Sequence, residues 1–270
     1  MKRWFQVACV VMLLVMVAAL FRWRRTHGAP LASLPAAFSG AMPQRVLWAW
    51  EEPEDLRALP ATVGVAYLAE TILLSDHVAV LPRQQPLQPA LGAPVMAVVR
   101  IETRPGFVDS TAMRSAVATR LAEVGRRDGL RALQVDFDAT ESQRKFYAGV
   151  LTMLRPQLRH GFPLSMTALV SWCGGESWLH GLPVDEAVPM FFRMGGPRAL
   201  SSNAKGRYRL REPLCRSSIG VATDESWPTN FGELNPAGRV YIFAPRPWRD
   251  VQLAAVATVP NALLSEELAR

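Results

Sequence analysis

The chain has 270 residues, half of them hydrophobic and a fifth charged. That length fits one large domain or two small ones, since domains usually run about 100–200 residues and barrels reach about 250. The apolar content excludes a disordered chain, a single long apolar stretch excludes a polytopic membrane protein, and three cysteines exclude a disulfide-dense scaffold.

The net charge of +7 sits at one end. Residues 1–25 hold five basic residues and no acidic one, which leaves 25 basic against 23 acidic residues, or +2, in the remainder. Those basic residues are dispersed among acidic ones, so no electrostatic footprint for nucleic acid remains. Trp4 to Phe21 forms 18 nearly unbroken apolar positions, with Gln6 the only polar one and positive charge on both flanks. That length is close to the minimum for a spanning helix. A cleaved signal is the rival reading, with Val17-Ala18-Ala19 as a small-residue site. The arginines just after it favour an anchor. Either reading predicts a body outside the cytoplasm: held at a bacterial inner membrane by residues 4–21 and facing the periplasm, or secreted after cleavage. Cys9 lacks the neighbours of a lipoprotein box.

Thr26 to Gln44 is rich in Ala, Pro, Ser and Gly and reads as a linker. The expected organisation is therefore an anchor or signal at 1–25, a linker at 26–44 and one domain at 45–270. In that domain eight short apolar runs predict strands: Arg45–Trp50, Val63–Ala69, Val95–Glu102, Arg131–Asp138, Pro163–Leu169, Ala187–Arg193, Ser218–Thr223 and Val240–Ala244. Ile72–Leu81 predicts a strand or hairpin insertion. Helices are predicted at Ser110–Arg126, opening on the capping residues Asp109 and Ser110, and at Glu141–Leu158, with apolar positions at Phe146, Val150, Met153 and Leu154. Pro189 is awkward inside the sixth run and predicts a bulge or a shorter strand. Gly195 to Arg216 reads as a long loop.

Strands alternating with helices imply a parallel sheet, and eight of them imply a (β/α)₈ TIM-type barrel. A doubly wound open sheet is the alternative, weakened by the lack of a Gly-rich dinucleotide fingerprint. Cys173 and Cys215 leave two readings open, a disulfide or two buried thiols. Neither lies in a Cys-x-x-Cys motif and only four histidines are scattered along the chain, so no zinc site and no cofactor are implied.

Side chains of a strand alternate faces with period two. In the fourth strand Leu133, Val135 and Phe137 share one face, and Gln134, Asp136 and Asp138 the other. In the third, Met96, Val98, Arg100 and Glu102 share a face. In the fifth, Ser165 and Thr167 do. These polar faces are predicted to enter the barrel, apolar low down and polar at the C-terminal end, where barrel enzymes place their chemistry. Arg100, Glu102, Asp136, Asp138 and Thr167 should then converge. Two crowded carboxylates repel, and one can stay protonated as a general acid. The bland alternative is an ion-pair network in which Arg100 neutralises Asp136. Trp50, ending the first strand, and Trp172, following the fifth, are candidate sugar platforms, and Arg193 ends the sixth run as a further binding residue. Glu51, Glu70, Glu176 and Glu225 are spare acids near strand ends.

The stretch Leu133–Tyr147 reads L-Q-V-D-F-D-A-T-E-S-Q-R-K-F-Y. P-L-S-M-T-A-L-V-S-W-C follows at 163–173, and L-P-V-D-E-A-V-P-M-F-F-R-M-G at 182–195. With V-L-W-A-W-E at 46–51, these resemble the bacterial family called domain of unknown function 3142, over most of residues 45–250. That resemblance implies a glycoside-hydrolase-like barrel and carries no settled activity. More distantly the chain resembles the family-18 chitinases, whose fourth strand reads D-x-x-D-x-D-x-E. Asp136 and Asp138 match two of the aspartates. Leu133 stands at the first aspartate and Thr140 at the acid Glu, with Glu141 one place late.

Three functions follow as expectations. The first is an extracytoplasmic, membrane-anchored glycoside hydrolase on a poly- or oligosaccharide. Asp138 would be its leading carboxylate, Asp136 the neighbour that sets its pKa and Glu102 the second carboxylate. Arg100, Trp50, Thr167, Trp172 and Arg193 would bind the sugar. The second is a non-catalytic glycan-binding or envelope-assembly module on a degenerate barrel, favoured by Thr140. The third is a hydrolase using Asp136, Asp138 and Glu102 as oxygen ligands for Mg²⁺ or Ca²⁺.

Overall fold

The structure, a computed structural model, describes residue 38, residues 40–193, 210–225 and 238–249, and residues 252, 253 and 256. All of them belong to one compact unit, Leu34–Arg270. The expected membrane segment and most of the linker lie outside the described residues, as does most of the loop expected at 195–216. Among the described residues no helix is long and apolar enough to cross a membrane.

The chain runs β1 (Arg45–Ala49), β2 (Glu54–Leu56), β3 (Val63–Leu74), β4 (Val78–Pro82), β5 (Leu87–Pro89), β6 (Val95–Thr103) and α1 (Thr111–Gly125). It continues β7 (Leu130–Asp136), α2 (Arg144–Leu154), β8 (Leu164–Leu169), α3 (Val170–Gly174), β9 (Glu186–Met190), β10 (Ser218–Ala222) and β11 (Arg239–Phe243). Eight of these strands pair in parallel around a ring, in the order β1, β3, β6, β7, β8, β9, β10, β11. The ring closes where β11 pairs β1, from Arg45↔Val240 to Trp48↔Phe243. This is the TIM-type barrel, and all eight predicted runs are its strands. Few α-helices cover it among the described residues.

Period-two alternation builds the barrel. Leu47, Val65, Ala97, Val99, Leu133, Val135, Leu164 and Met166 face outward into the larger core, beneath Val117, Leu121, Phe146 and Val150 of α1 and α2. Val46, Trp48, Ala66, Met96, Val98, Ala132, Val188 and Tyr241 make a second cluster inside the ring. Ser110 caps α1 by accepting a hydrogen bond from the Met113 amide at 3.1 Å. Losing such a cap costs about 1 kcal/mol. The Tyr147 hydroxyl donates to the Val135 carbonyl at 3.0 Å and ties α2 to the end of β7.

Three features adjust the sequence reading. β3 outruns the barrel and turns into β4, an antiparallel hairpin where Ile72–Leu81 was expected to insert one. Its register against β6 shifts between Leu68 and Glu70, and this bulge turns Glu70 outward. There Glu70 is fully buried and accepts from Arg120 and Arg127 of the α1 side at 2.7–2.8 Å, so it is no spare acid of the mouth. β9 stops at Met190. Phe191 donates its amide to Gly220, so by alternation the nitrogen of Pro189 faces β10, and pairing there shrinks to Gly220↔Met190.

The barrel floor is not apolar, contrary to the expectation. Arg239, 1% exposed, donates at 2.9 Å to fully buried Glu186, whose other oxygen accepts from the Tyr241 hydroxyl. The same guanidinium donates to the carbonyls of Phe38, Met42 and Pro43 at 2.9–3.0 Å. Phe38 and Met42 are themselves buried inside the ring. The barrel's chain therefore begins before Arg45, and this part of the expected linker is its floor. Buried charges are tolerable only when paired and hydrogen-bonded, and here the donors and acceptors match.

Cys173 and Cys215 form a disulfide with Cα atoms 5.9 Å apart. It resolves the alternative left open by the sequence. It joins α3 to the turn before β10, across the crossover that carries β9.

Candidate active site

A cavity of about 750 Å³ opens at the C-terminal ends of the strands. Its floor is Trp48. That indole donates to the Gln134 side-chain carbonyl at 2.9 Å, and the Gln134 amide donates to Ser165 at 3.0 Å. Tyr241 stacks beneath the ring, with centroids 5.3 Å apart. Gly220 makes room for the indole, since a Cβ there would come within 3.0 Å of it.

One wall is aromatic and the other ionic. Trp50, Phe192 and Phe243 form the first, with Phe192 and Phe243 stacked at 5.4 Å and Trp50 edge-on to Phe243 at 6.1 Å. On the other, Arg100 donates to Asp136 at 2.8 Å and to Glu102 at 2.9 Å, and stands 3.7 Å from Asp138. Thr167 donates to the second oxygen of Asp136 at 2.7 Å, and Arg104 to the second oxygen of Glu102 at 2.8 Å. The Arg100 guanidinium also lies 5.7 Å from the Trp50 ring centre, bridging the two walls. Burial opposes its charge, but Asp136, Glu102 and Asp138 outweigh that and raise its pKa.

The five residues expected to converge all line this cavity, as do Trp50 and Arg193. They divide by availability. The Asp136 side chain is 4% exposed and Glu102 is held by two guanidiniums. Asp138 lies just past β7, its side chain half-exposed, and accepts no hydrogen bond among the described residues. Partial burial holds its pKa above the ordinary carboxylate value, the negative charge of Asp136 adds to the rise, Arg100 opposes it, and Glu102 adds again. A carboxyl that keeps its proton to higher pH and faces open space can donate it. Asp136 and Glu102 supply field and shape.

Arg193 stands at the rim. Its backbone is left-handed, with φ of 54°. Its amide donates to both oxygens of Glu225 at 3.0 and 3.1 Å, and its guanidinium is 3.6 Å from Asp224. Glu225 is thus a support of the rim, not an acid aimed inward.

Trp172 does not line the cavity, against the expectation. It is buried in the outer core, edge-on to Trp178 at 4.9 Å. The cause is the change of period at Leu169, where β8 gives way to α3. Leu169, Val170 and Ser171 edge the cavity, and the helical turn rotates the next side chain away. Thr140 and Glu141 are exposed and also off the cavity. Thr140 caps a short 3₁₀ turn, its amide accepted by the Gln143 side chain at 2.9 Å. Among the described residues no cluster of His, Cys, Asp and Glu could hold a metal ion. Sequence reasoning put Gln134 on the inward face without giving it a role, and missed Trp48, Phe192 and Phe243 as site formers. Trp48 lies two residues before Trp50, and Phe243 alternates with Arg239 and Tyr241, so strand parity could have found both.

Residues 91–198 match the family described as "Domain of unknown function (DUF3142)". No curated protein matches the sequence. Among solved structures, a Streptomyces coelicolor protein provisionally designated chitinase A superposes with a TM-score of 0.55 at 11% identity, covering 82% of this chain and 98% of that one. The spore cortex-lytic enzyme SleL of Bacillus cereus gives 0.41 at 17% identity, over 76% of this chain and 60% of that one. The chitinase domain of the Clostridium difficile spore coat protein CotE gives 0.39 at 14%, over 80% and 68%. The matched range is narrower than the motifs suggested and leaves out V-L-W-A-W-E, but it contains β6, β7 and β8, which carry the ionic wall, and β9. The chain thus resembles the domain of unknown function 3142 family over residues 91–198, on a TIM-type barrel.

Proposed function

We propose that the protein is an extracytoplasmic glycoside hydrolase that takes a poly- or oligosaccharide into the barrel mouth. Residues 4–21 would hold it at the membrane unless they are cleaved as a signal. One observation carries the enzymatic part: Asp138 is the carboxyl in the cavity that keeps its proton to raised pH while facing open space across from an aromatic wall. A glycan ring laid on Trp50 and Phe243 would present its linkage to Asp138, which would donate a proton to the departing oxygen. Asp136, fixed by Thr167 and Arg100, would keep negative charge close to the oxocarbenium-like centre. Glu102 would act on the water. The disulfide supports a body outside the cytoplasm, because such bonds persist in oxidising compartments.

A second reading is favoured by a separate observation. Hydrolysis of this kind needs two working carboxylates, and Arg100 with Arg104 ties up both oxygens of Glu102. With Thr140 off the cavity, a glycan-binding or envelope-assembly module would use the same aromatic wall without turnover. Release of reducing ends from bacterial polysaccharides by the full chain, compared with Asp138→Asn, separates the two. Release that disappears in the variant supports the hydrolase. Sugar binding without release supports the module.

A further inference from the structure

Asp138 and Glu102 lie on different segments, so something must fix their separation. Asp138 lies beyond the end of β7, in a loop that β-pairing does not hold. Glu102 is the next-to-last residue of β6. Beside Arg100, which stands 3.7 Å from Asp138 and donates to Glu102, one uncharged side chain joins the two segments. The Gln143 carbonyl oxygen accepts from the Thr140 amide at 2.9 Å, two residues past Asp138. The Gln143 amide donates at 2.9 Å to the Thr103 hydroxyl, directly after Glu102. The Ala139 amide donates back to Phe137 at 2.8 Å and closes the turn around Asp138. Phe137 is locked outward against Tyr147 and Phe146, with ring centres 5.3 and 6.3 Å away. The loop is therefore pinned from the helix side, and Gln143 gives it a hydrogen-bonded link to β6.

We propose that Thr103 and Gln143 are positioning residues that clasp the loop bearing Asp138 to the strand end bearing Glu102, and so set the distance between the two carboxylates. The inference rests on Asp138 being the working carboxyl of the mouth. Neither clasp residue lines the cavity, so neither touches a ligand. The separation they set decides stereochemistry, with about 5–5.5 Å giving retention and about 6.5–9.5 Å inversion. The charged and titratable groups around Asp138 are Asp136 at the end of β7, Arg100 and Glu102 on β6 with Arg104 behind Glu102, and the buried Tyr147 of α2. Releasing the clasp lets the loop move away from all of them and toward water.

The test is an NMR titration of the Asp138 carboxyl in the full chain, beside Thr103→Val, Thr103→Ser and Gln143→Ala. Valine keeps the shape and removes the acceptor, leaving the cap on Thr140 intact, and serine restores the hydroxyl. The expected result is a downward shift of the Asp138 midpoint toward the ordinary carboxylate value in Thr103→Val and Gln143→Ala, with Thr103→Ser like the parent. An unchanged midpoint in both folded clasp variants overturns the inference, as does a Thr103→Ser shift equal to that of Thr103→Val. Should one variant fail to fold, the other decides by the same criterion. The titration needs no turnover. A protein that releases no sugar yet shows the shift loses the hydrolase reading and keeps the clasp.

Discussion

Replacing Arg100 by glutamine removes the one cation that bridges Asp136, Glu102 and Asp138. Asp136 keeps only the Thr167 hydroxyl, and its side chain is 4% exposed. Breaking a buried pair by removing one partner costs about 3–5 kcal/mol. The lower end applies, because Arg100 is itself 30% exposed and Glu102 retains Arg104. A domain of this size loses roughly 2–4 °C in Tm per kcal/mol, so Arg100→Gln should lower Tm by roughly 6–12 °C near neutral pH, read by circular dichroism. The loss should shrink in acid. Arg100 lowers the Asp138 pKa, so its removal lets Asp138 hold its proton to still higher pH. A carboxyl with a folded pKa above its unfolded one binds its proton more tightly when folded. Stability then rises as pH falls through the folded pKa toward the unfolded one. The gap between variant and parent should therefore narrow below the Asp138 midpoint. A Tm within about 1 °C of the parent at all pH values would refute an ion-pair network that holds the mouth.

Asp138→Asn should raise Tm at neutral pH by less than about 1 kcal/mol in equivalent stability, since half-exposure screens the repulsion it relieves. The same pH scan should show that gain fading as pH falls through the Asp138 midpoint. Glu186→Ala strands the fully buried Arg239 at the barrel floor, and urea unfolding should show a loss of about 3–5 kcal/mol. Reducing the Cys173–Cys215 bond, which spans 42 positions, should cost about 4 kcal/mol on the loop-entropy account, read as a Tm difference with and without reductant.

The parts of the fold that were legible are those governed by local period. Leu133 and Val135 against Gln134 and Asp136 told the outside of the barrel from the inside, because a strand's side chains alternate whatever its partners are. The ionic wall followed once β6, β7 and β8 became neighbours. What stayed hidden depends on closure. Glu186 and Arg239 lie 53 residues apart and each opens its own strand, so nothing local announces their pairing. Phe38 and Met42 sit among residues that read as linker, and only the ring's open end explains their burial. Trp172 was misplaced because the chain changes from strand to helix within three residues of it, and a one-residue difference in that switch rotates the ring from mouth to core.

The most direct test of the central claim is reducing-end release from a panel of bacterial polysaccharides by the full chain and by Asp138→Asn, with folding of both verified. The account predicts release by the parent that is lost in the variant. Equal release by a folded Asp138→Asn protein would contradict it.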